Sequence, residues 1–475
     1  MFNLKLKKLI KSILESEIRS AVLIIALVSI FCLITILWGF IFPIYLPIIL
    51  IAFYISLKKP RAGLYSIIFL TIVFERFFTL EAISFSGMLI KIYPLDIIFG
   101  ASLLGMLSQY AFATEKIKIS FPEKILGIFM ILNLIYFPLS YFQDSEMALS
   151  FSTLKNYIFY PLFYFLIYGL IKSKKNLWRI FQFFTAGVIT AIIFFLIGLL
   201  RQRGLWTEFN PLSTDGVRLL AFSHGLFMSI ALIPMFLYIA ISPKKKIWLN
   251  LILILLVGGI FGTLMRHLWV ALFCSFVVIF IITTWNSKKA IFKLGLKLLI
   301  PVILMVGIVS YYPDIISKLQ NHNNEISGLG MVAERTQSIA SGSEDSSFYW
   351  RSIAWKSGLD RFKENPIFGI GTGRRVVVEM KWLTQNVEIR SIHNSYLSIM
   401  IQFGVLGLVI FATFILSILK KLYSFRHNFS AIAVGSVLIF FLVAAIFQPY
   451  LETNLLAIFF WIALGAAKVI TEIKK

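Results

Sequence analysis

His393 stands in the run Ile392-His393-Asn394-Ser395-Tyr396-Leu397, where a long polar interval gives way to an apolar helix. An unperturbed imidazole titrates near about 6.5, so a histidine at such a water boundary can take and return a proton at neutral pH. Three arginines have the chemistry to hold an anion. Arg351 falls three residues after Phe348 and four before Trp355, on the apolar face of a helical pattern, and an arginine facing inward wants a negative partner. Arg266 lies beside His267 in Gly262-Thr-Leu-Met-Arg-His-Leu-Trp269, where two apolar runs meet with almost no loop between them. Arg218 heads another apolar helix, and at that depth it either snorkels to the interface or binds an anion. His224, six residues further in, reads as a hydrogen-bonded core histidine rather than a catalyst.

The glycine run GIGTGRR at 369–375 could offer backbone N–H groups to a phosphate. It lacks the Gly-Lys-Ser/Thr ending and the following helix of a nucleotide loop, so it is expected as a flexible turn that redirects the chain to the membrane. The sequence holds no HExxH motif and no paired-aspartate motif, and Glu344-Asp345 reads as a solvated turn, so neither a metal nor another cofactor is expected. Cys32 and Cys274 both fall inside apolar runs, where a small soft hydrophobe is the expected role.

The elements that must carry these residues are membrane helices. The chain is 59% hydrophobic and 14% charged, too apolar for a soluble protein of 475 residues. Apolar segments at 20–40, 41–57, 62–79, 94–112, 124–142, 156–171, 180–200, 220–242, 247–265, 267–285, 298–312, 404–419, 430–447 and 452–467 predict an all-α, polytopic bundle of about 12–14 spans. The first run lacks a cleavage signature and is expected to be retained as a helix, with residues 1–19 either an amphipathic interfacial segment or a solvated anchor. The aromatic-rich span from Tyr157 to Phe165 is expected to pack within the bundle, the alternative being a groove for a membrane lipid.

The formal charge of +23 sorts by side. Alternate connections, taken as cytoplasmic, hold 28 basic and 5 acidic residues; the rest of the chain holds 17 of each. The whole excess is therefore an orientation signal, and nucleic acid is excluded as the partner it would otherwise suggest. This orientation puts both termini inside and residues 313–393 outside. The expected organisation is a bundle over 1–312, an external loop over 313–393 and C-terminal spans over 394–475. A loop of that length is more than a connector. Its first half is rich in Ser, Gly and Asn. Its second half predicts a helix from an N-cap at Ser347, with Phe348, Trp355, Leu359 and Phe362 on its packed face, stopping before Asn365-Pro366. From His393 a short apolar helix is expected to turn at Gly404 and continue from Val405.

Three stretches resemble the O-antigen ligase and polymerase superfamily of integral-membrane glycan transferases. They are Arg218 with its following helix; MRHLWVAL at 265–272; and the block Trp350-Arg351-x-x-x-Trp355, Asn365-Pro-Ile-Phe-Gly-Ile-Gly371, His393-Asn394-x-Tyr396-Leu397 and Gln402-Phe-Gly404-x-x-Gly407. Met265 stands where the family usually has serine, and Gln402-Phe403 replaces an acidic residue often found there. The resemblance implies a multi-pass protein of the bacterial inner membrane with its site on the periplasmic side. It also implies metal-independent, inverting transfer of a glycan from a polyprenyl-diphosphate carrier to an acceptor hydroxyl. Carried onto this sequence, Arg218, Arg266 and Arg351 would clamp the diphosphate, with Arg374 and Arg375 as helpers, and His393 would be the general base. The acceptor expected is a lipid A core sugar, as for a ligase; a second lipid-linked repeat would make it a polymerase. A transporter of lipid-linked sugars is the remaining alternative, and it predicts ionisable residues deep in the spans.

Overall fold

A computed structural model describes residues 16–75, 83–85, 88–90, 93–112, 118–142, 145–201, 222–241, 247–263, 265–311, 346–378 and 387–473. Arg218, the 1–15 segment and the first half of the expected external loop lie outside these residues. The protein is an all-α polytopic membrane protein. Its helices are α1 (Glu17–Trp38), α2 (Phe42–Lys58), α3 (Pro60–Phe74), α4 (Pro94–Ala111), α5 (Phe121–Phe142), α6 (Met147–Leu154), α7 (Leu162–Leu170), α8 (Lys174–Arg201), α9 (Phe222–Ile241), α10 (Ile247–Gly262), α11 (Arg266–Ile282), α12 (Trp285–Tyr311), α13 (Ser346–Lys363), α14 (Ser395–Tyr423), α15 (Phe429–Phe447) and α16 (Asn454–Glu472). Among the described residues, each expected apolar segment falls largely on helix. By length and composition six described helices are able to cross a membrane, and four apolar ones are shorter. At 1.5 Å per residue a 15-residue helix such as α3 reaches only about 22 Å, short of a hydrocarbon core about 30 Å thick.

Burial divides the helices by environment. Tyr65, Phe99, Phe129, Tyr157, Phe163, Tyr164 and Trp461 are enclosed in one continuous core. Trp38, Tyr54, Ile131, Trp248, Phe273 and Leu416 remain exposed on helix faces where lipid would cover them. The aromatic-rich span packs as expected, with the rings of Phe99 and Phe163 stacked at 3.9 Å. Cys32 is buried and Cys274 partly so, both as free thiols.

Contacts also sort the connections into two ends. At one, Glu17 pairs with Arg61 (2.9 Å) and Arg179 (3.5 Å), and Lys421 with Glu472 (3.3 Å). At the other, Glu146 meets Arg375, and His393 meets Gln448. These groupings match the alternation of basic and neutral connections in the sequence. Buried ionic groups lie at helix ends and neutralise one another: Lys468 with Glu123 (3.0 Å) and Glu472 (2.9 Å), and Lys155 with Asp96.

Two breaks in the helices shape the second end. The chain between α6 and α7 winds as a π-turn over Lys155–Phe159, a form concentrated at functional sites. Helix α14 is interrupted at Gly404 (φ 67°, ψ −169°), a conformation open essentially only to glycine. The glycine-rich segment repairs this break. Ile370 N donates to Ile401 O (2.8 Å) and Gly371 N to Gln402 O (3.1 Å). Val405 N and Leu406 N donate to Pro366 O (2.9 Å) and Ile367 O (3.2 Å). A Cβ on Gly369 would lie 2.5 Å from the Gln402 backbone, and one on Gly404 would lie 2.1 Å from Ile367 O. The run expected as a flexible turn is instead the docked partner of the helix break, because the orphan amides and carbonyls of a broken helix need partners.

Helix α13 spans Ser346–Lys363, starting one residue before the expected cap and stopping ahead of Asn365-Pro366 as predicted. Among the side chains described, its packed face differs from the expectation at Leu359. Leu359 is 43% exposed, whereas Ala354 and Gly358 are buried. A Cβ on Gly358 would lie 3.1 Å from Ile401 Cδ1, so small residues bring α13 close to α14 where a leucine would not fit. Trp355 and Phe362 flank this contact and close a small core with Ile370, Val376, Ile392, Leu397 and Ile401. Val376–Val378 and Val387–Ile389 form an antiparallel pair beside it.

Candidate active site

The first turn of α14 is built around Asn394, whose Oδ1 accepts from Tyr396 N (3.1 Å) and Leu397 N (3.0 Å). Capping of this kind fixes where the helix begins. It leaves His393 just outside, at φ +52°. A non-glycine residue in this region costs on the order of 1 kcal/mol or more and persists only where its surroundings hold it. Two contacts do so. Trp355 Nε1 donates to Ile392 O (3.0 Å), and His393 Nδ1 bonds Gln448 Oε1 at 2.8 Å. An amide oxygen can only accept, so Nδ1 carries the ring proton and Nε2 bears the lone pair. That is the tautomer a base needs.

Gln448 belongs to the short connection between α15 and α16, residues 448–453. Two residues on, Tyr450 Oη lies 2.6 Å from His267 Nε2. His267 is buried in the first turn of α11, and Arg266 precedes it at the helix N-terminus, partly buried. Arg351 is partly buried one helical turn before Trp355. A continuous series of contacts therefore runs from the helix of Arg351, through Trp355, Ile392, His393, Gln448 and Tyr450, to His267 beside Arg266.

Other candidates sit elsewhere. The segment before the Val376–Val378 strand docks on α6: Glu146 N donates to Gly373 O (2.9 Å), and a Cβ on Gly373 would meet Ser150 Oγ at 2.1 Å. Arg375 forms a forked pair with Glu146 (2.5 and 3.1 Å), which holds that carboxyl below the usual range. Arg374 precedes it, partly buried. Arg375 thus ties the loop to the bundle. His224 is fully buried in the first turn of α9 against the Phe194 ring, a core position as expected, but neither ring nitrogen has the expected hydrogen-bond partner among the described residues.

Sequence reasoning passed over Gln448, Tyr450 and Glu452. The 448–453 connection looks like a pause between two apolar runs, and its ties reach 55 and 183 residues back along the chain. Glu452 was expected as the first residue of the last span, whereas α16 begins at Asn454. Its Oε1 is buried, and burial pushes its pKa up to about 7 against the opposing influence of Ser398 and Arg390. Glu388 is exposed in its strand, opposite Val377.

Residues 251–412 match a family model described as O-antigen ligase. In that segment the chain is similar to the O-antigen ligase family. The matched segment runs from α10 through α13 to the middle of α14. It includes Arg266, Arg351, Arg374, Arg375 and His393 and stops short of the 448–453 connection. Among curated proteins, none matches the chain.

Proposed function

We propose that this O-antigen ligase family protein moves a glycan from a polyprenyl-diphosphate carrier to an acceptor hydroxyl on the periplasmic face of a bacterial inner membrane. The observation that carries this reading is His393, held in a strained backbone with Nδ1 on Gln448, in a series of contacts that joins the helix of Arg351 to His267, the neighbour of Arg266. In the reaction the acceptor oxygen bonds to the anomeric carbon as the carbon–oxygen bond to the diphosphate breaks, inverting the centre. The diphosphate leaves with the electron pair, and His393 Nε2 takes the hydroxyl proton. Arg266 and Arg351 meet the developing phosphate charge with planar, bidentate donors. Arg218 and Arg374 are further members of the clamp, while Arg375 serves to dock the loop on Glu146.

The positive charge of the clamp supplies the stabilisation for which a metal would otherwise be needed, so activity is expected to survive EDTA. Transport of lipid-linked sugars is disfavoured because Lys155, Asp96, Lys468 and Glu123 are paired at helix ends rather than strung through a span. Reconstitution in proteoliposomes with a labelled polyprenyl-diphosphate-linked glycan tests the reading. Label moving to a lipid A core acceptor makes it a ligase, and label moving to a second lipid-linked repeat makes it a polymerase. Vectorial movement of intact donor without bond cleavage would overturn both.

A further inference from the structure

The 448–453 connection touches both histidines of the site. Gln448 binds His393 and Tyr450 binds His267. Its seat on the bundle is specific. Leu451 N donates to Ser395 Oγ (3.2 Å), Ser395 Oγ approaches Gln448 O (3.4 Å), and Asn156 Nδ2 donates to Glu452 O (2.7 Å). The first turn of α14 and the π-turn thus clamp it from two sides. Between them lies one carboxyl. Glu452 Oε1 is buried and has no hydrogen-bond partner among the described residues, and neither has the buried phenol of Tyr157 from the π-turn. The groups facing it are Asn156 and Tyr157 from the π-turn, Ser398 from α14, and Arg390 from the segment before His393. Arg390 is drawn away toward α6, where it donates to Ser152 Oγ.

A charged carboxylate is costly in such a place and a neutral carboxyl much less so. The cost falls on the backbone that also carries Gln448. We propose that Glu452 is a positioning residue whose neutral form keeps the 448–453 connection seated and so holds the His393 ring in its working orientation. The inference rests on the transferase reading for its kinetic consequence but not for its structural one. Raising the pH through about 7 ionises Glu452, loosens the seat and lets the His393–Gln448 bond lapse. The folded protein holds this proton to higher pH than the unfolded chain, in which a glutamate ionises near about 4.3. Stability from this group is therefore full below that value and is lost as pH climbs to about 7.

The test uses the full chain and two readouts. In detergent, thermal unfolding of the wild type should fall in midpoint between about pH 5 and 8, whereas Glu452→Gln, an uncharged isostere, should flatten that fall. In proteoliposomes supplied with a polyprenyl-diphosphate-linked glycan, kcat of the wild type should decline on the alkaline side with KM little changed, and Glu452→Gln should hold its rate to pH 9. Arg390→Gln provides a second variant if the first folds poorly. Losing the cation raises the affinity of Glu452 for its proton, so the alkaline decline should move to higher pH with the same maximum. An unchanged pH dependence of the midpoint in Glu452→Gln overturns the proposal, whether or not transfer is detected. So does a folded Glu452→Gln protein inactive at every pH, since the carboxyl would then be acting in the chemistry itself. Flattened unfolding with no transfer by any variant would leave the seat intact and remove the transferase reading instead.

Discussion

Replacing Gln448 by leucine removes the acceptor for His393 Nδ1 while roughly keeping the volume of the side chain. The bond is 2.8 Å long and partly buried, so its net worth is about 1 kcal/mol, or roughly a fivefold to tenfold effect. A general base contributes about 10²- to 10⁴-fold, so His393→Ala should cost far more than Gln448→Leu. What distinguishes an orienting role from a general structural one is the combination. If Gln448 acts only by fixing the His393 ring, it has nothing left to do once the imidazole is gone, and His393→Ala/Gln448→Leu should be no slower than His393→Ala. The coupling energy should equal the whole single-mutant effect, about 1 kcal/mol. Initial rates of glycan transfer at saturating donor measure this, with donor binding determined separately. Losses that multiply would refute the assignment, as would a Gln448→Leu protein that loses donor affinity and keeps its turnover.

Arg266→Ala and Arg351→Ala should each lower turnover on the order of 10²-fold, with lysine restoring only part because it keeps the charge and loses the fork; near-normal rates in inserted, folded protein would dismiss the clamp. Arg375→Ala should change the rate a few-fold at most, since its pair with Glu146 is 40% and 46% exposed and such pairs contribute roughly 0–1 kcal/mol. Gly404→Ala should lower the unfolding midpoint sharply, the backbone term alone being about 1–3 kcal/mol, whereas Gly127→Ala, with nothing near its Cβ, should be neutral; equal midpoints would discredit the junction. In a protein lacking Cys32 and Cys274, a membrane-impermeant thiol reagent added from outside should label a cysteine placed at 341 and miss one placed at 242, and the reverse pattern would invert the site's orientation.

Periodicity and charge asymmetry made the helical scaffold legible, because both are local and repeated. The end of α13 was readable from Asn365-Pro366 and the break in α14 from Gly404, since proline and glycine act on their own backbone. His393 was readable from its place at a polar boundary. Pairing across distance was not. Leu359 looked like a packing residue and proved exposed because Gly358 makes the close contact with α14. A hydrophobic pattern weights side-chain size and cannot show where two helices press together. The GIGTG run looked mobile because its partner, the broken backbone at Gln402–Gly404, only exists once α14 has bent. Glu452 was absorbed into the final apolar run, although Pro449 just before it was the one local sign that the chain had not yet begun a helix.

The helix break and the site are parts of one arrangement. An unbroken α14 would satisfy its own backbone and give the 366–371 segment nothing to bind. With Gly404 at positive φ, four backbone groups flanking the break, two on each side, need partners, and that segment supplies them. Docking there brings α13 down onto the first half of α14, which lets Trp355 reach Ile392 O and hold the chain as it enters His393. Asn394 then starts the helix so that Ser395 faces the 448–453 connection, whose Gln448 completes the orientation of the ring. All but the last of these steps use hydrogen bonds to main-chain atoms, several of them at glycine, asparagine or serine, so the geometry of the base depends on backbone fit far more than on the bulk of the surrounding apolar side chains. Conservative hydrophobic swaps around His393 should therefore be tolerated where single changes at Gly369, Asn394 or Gly404 are not.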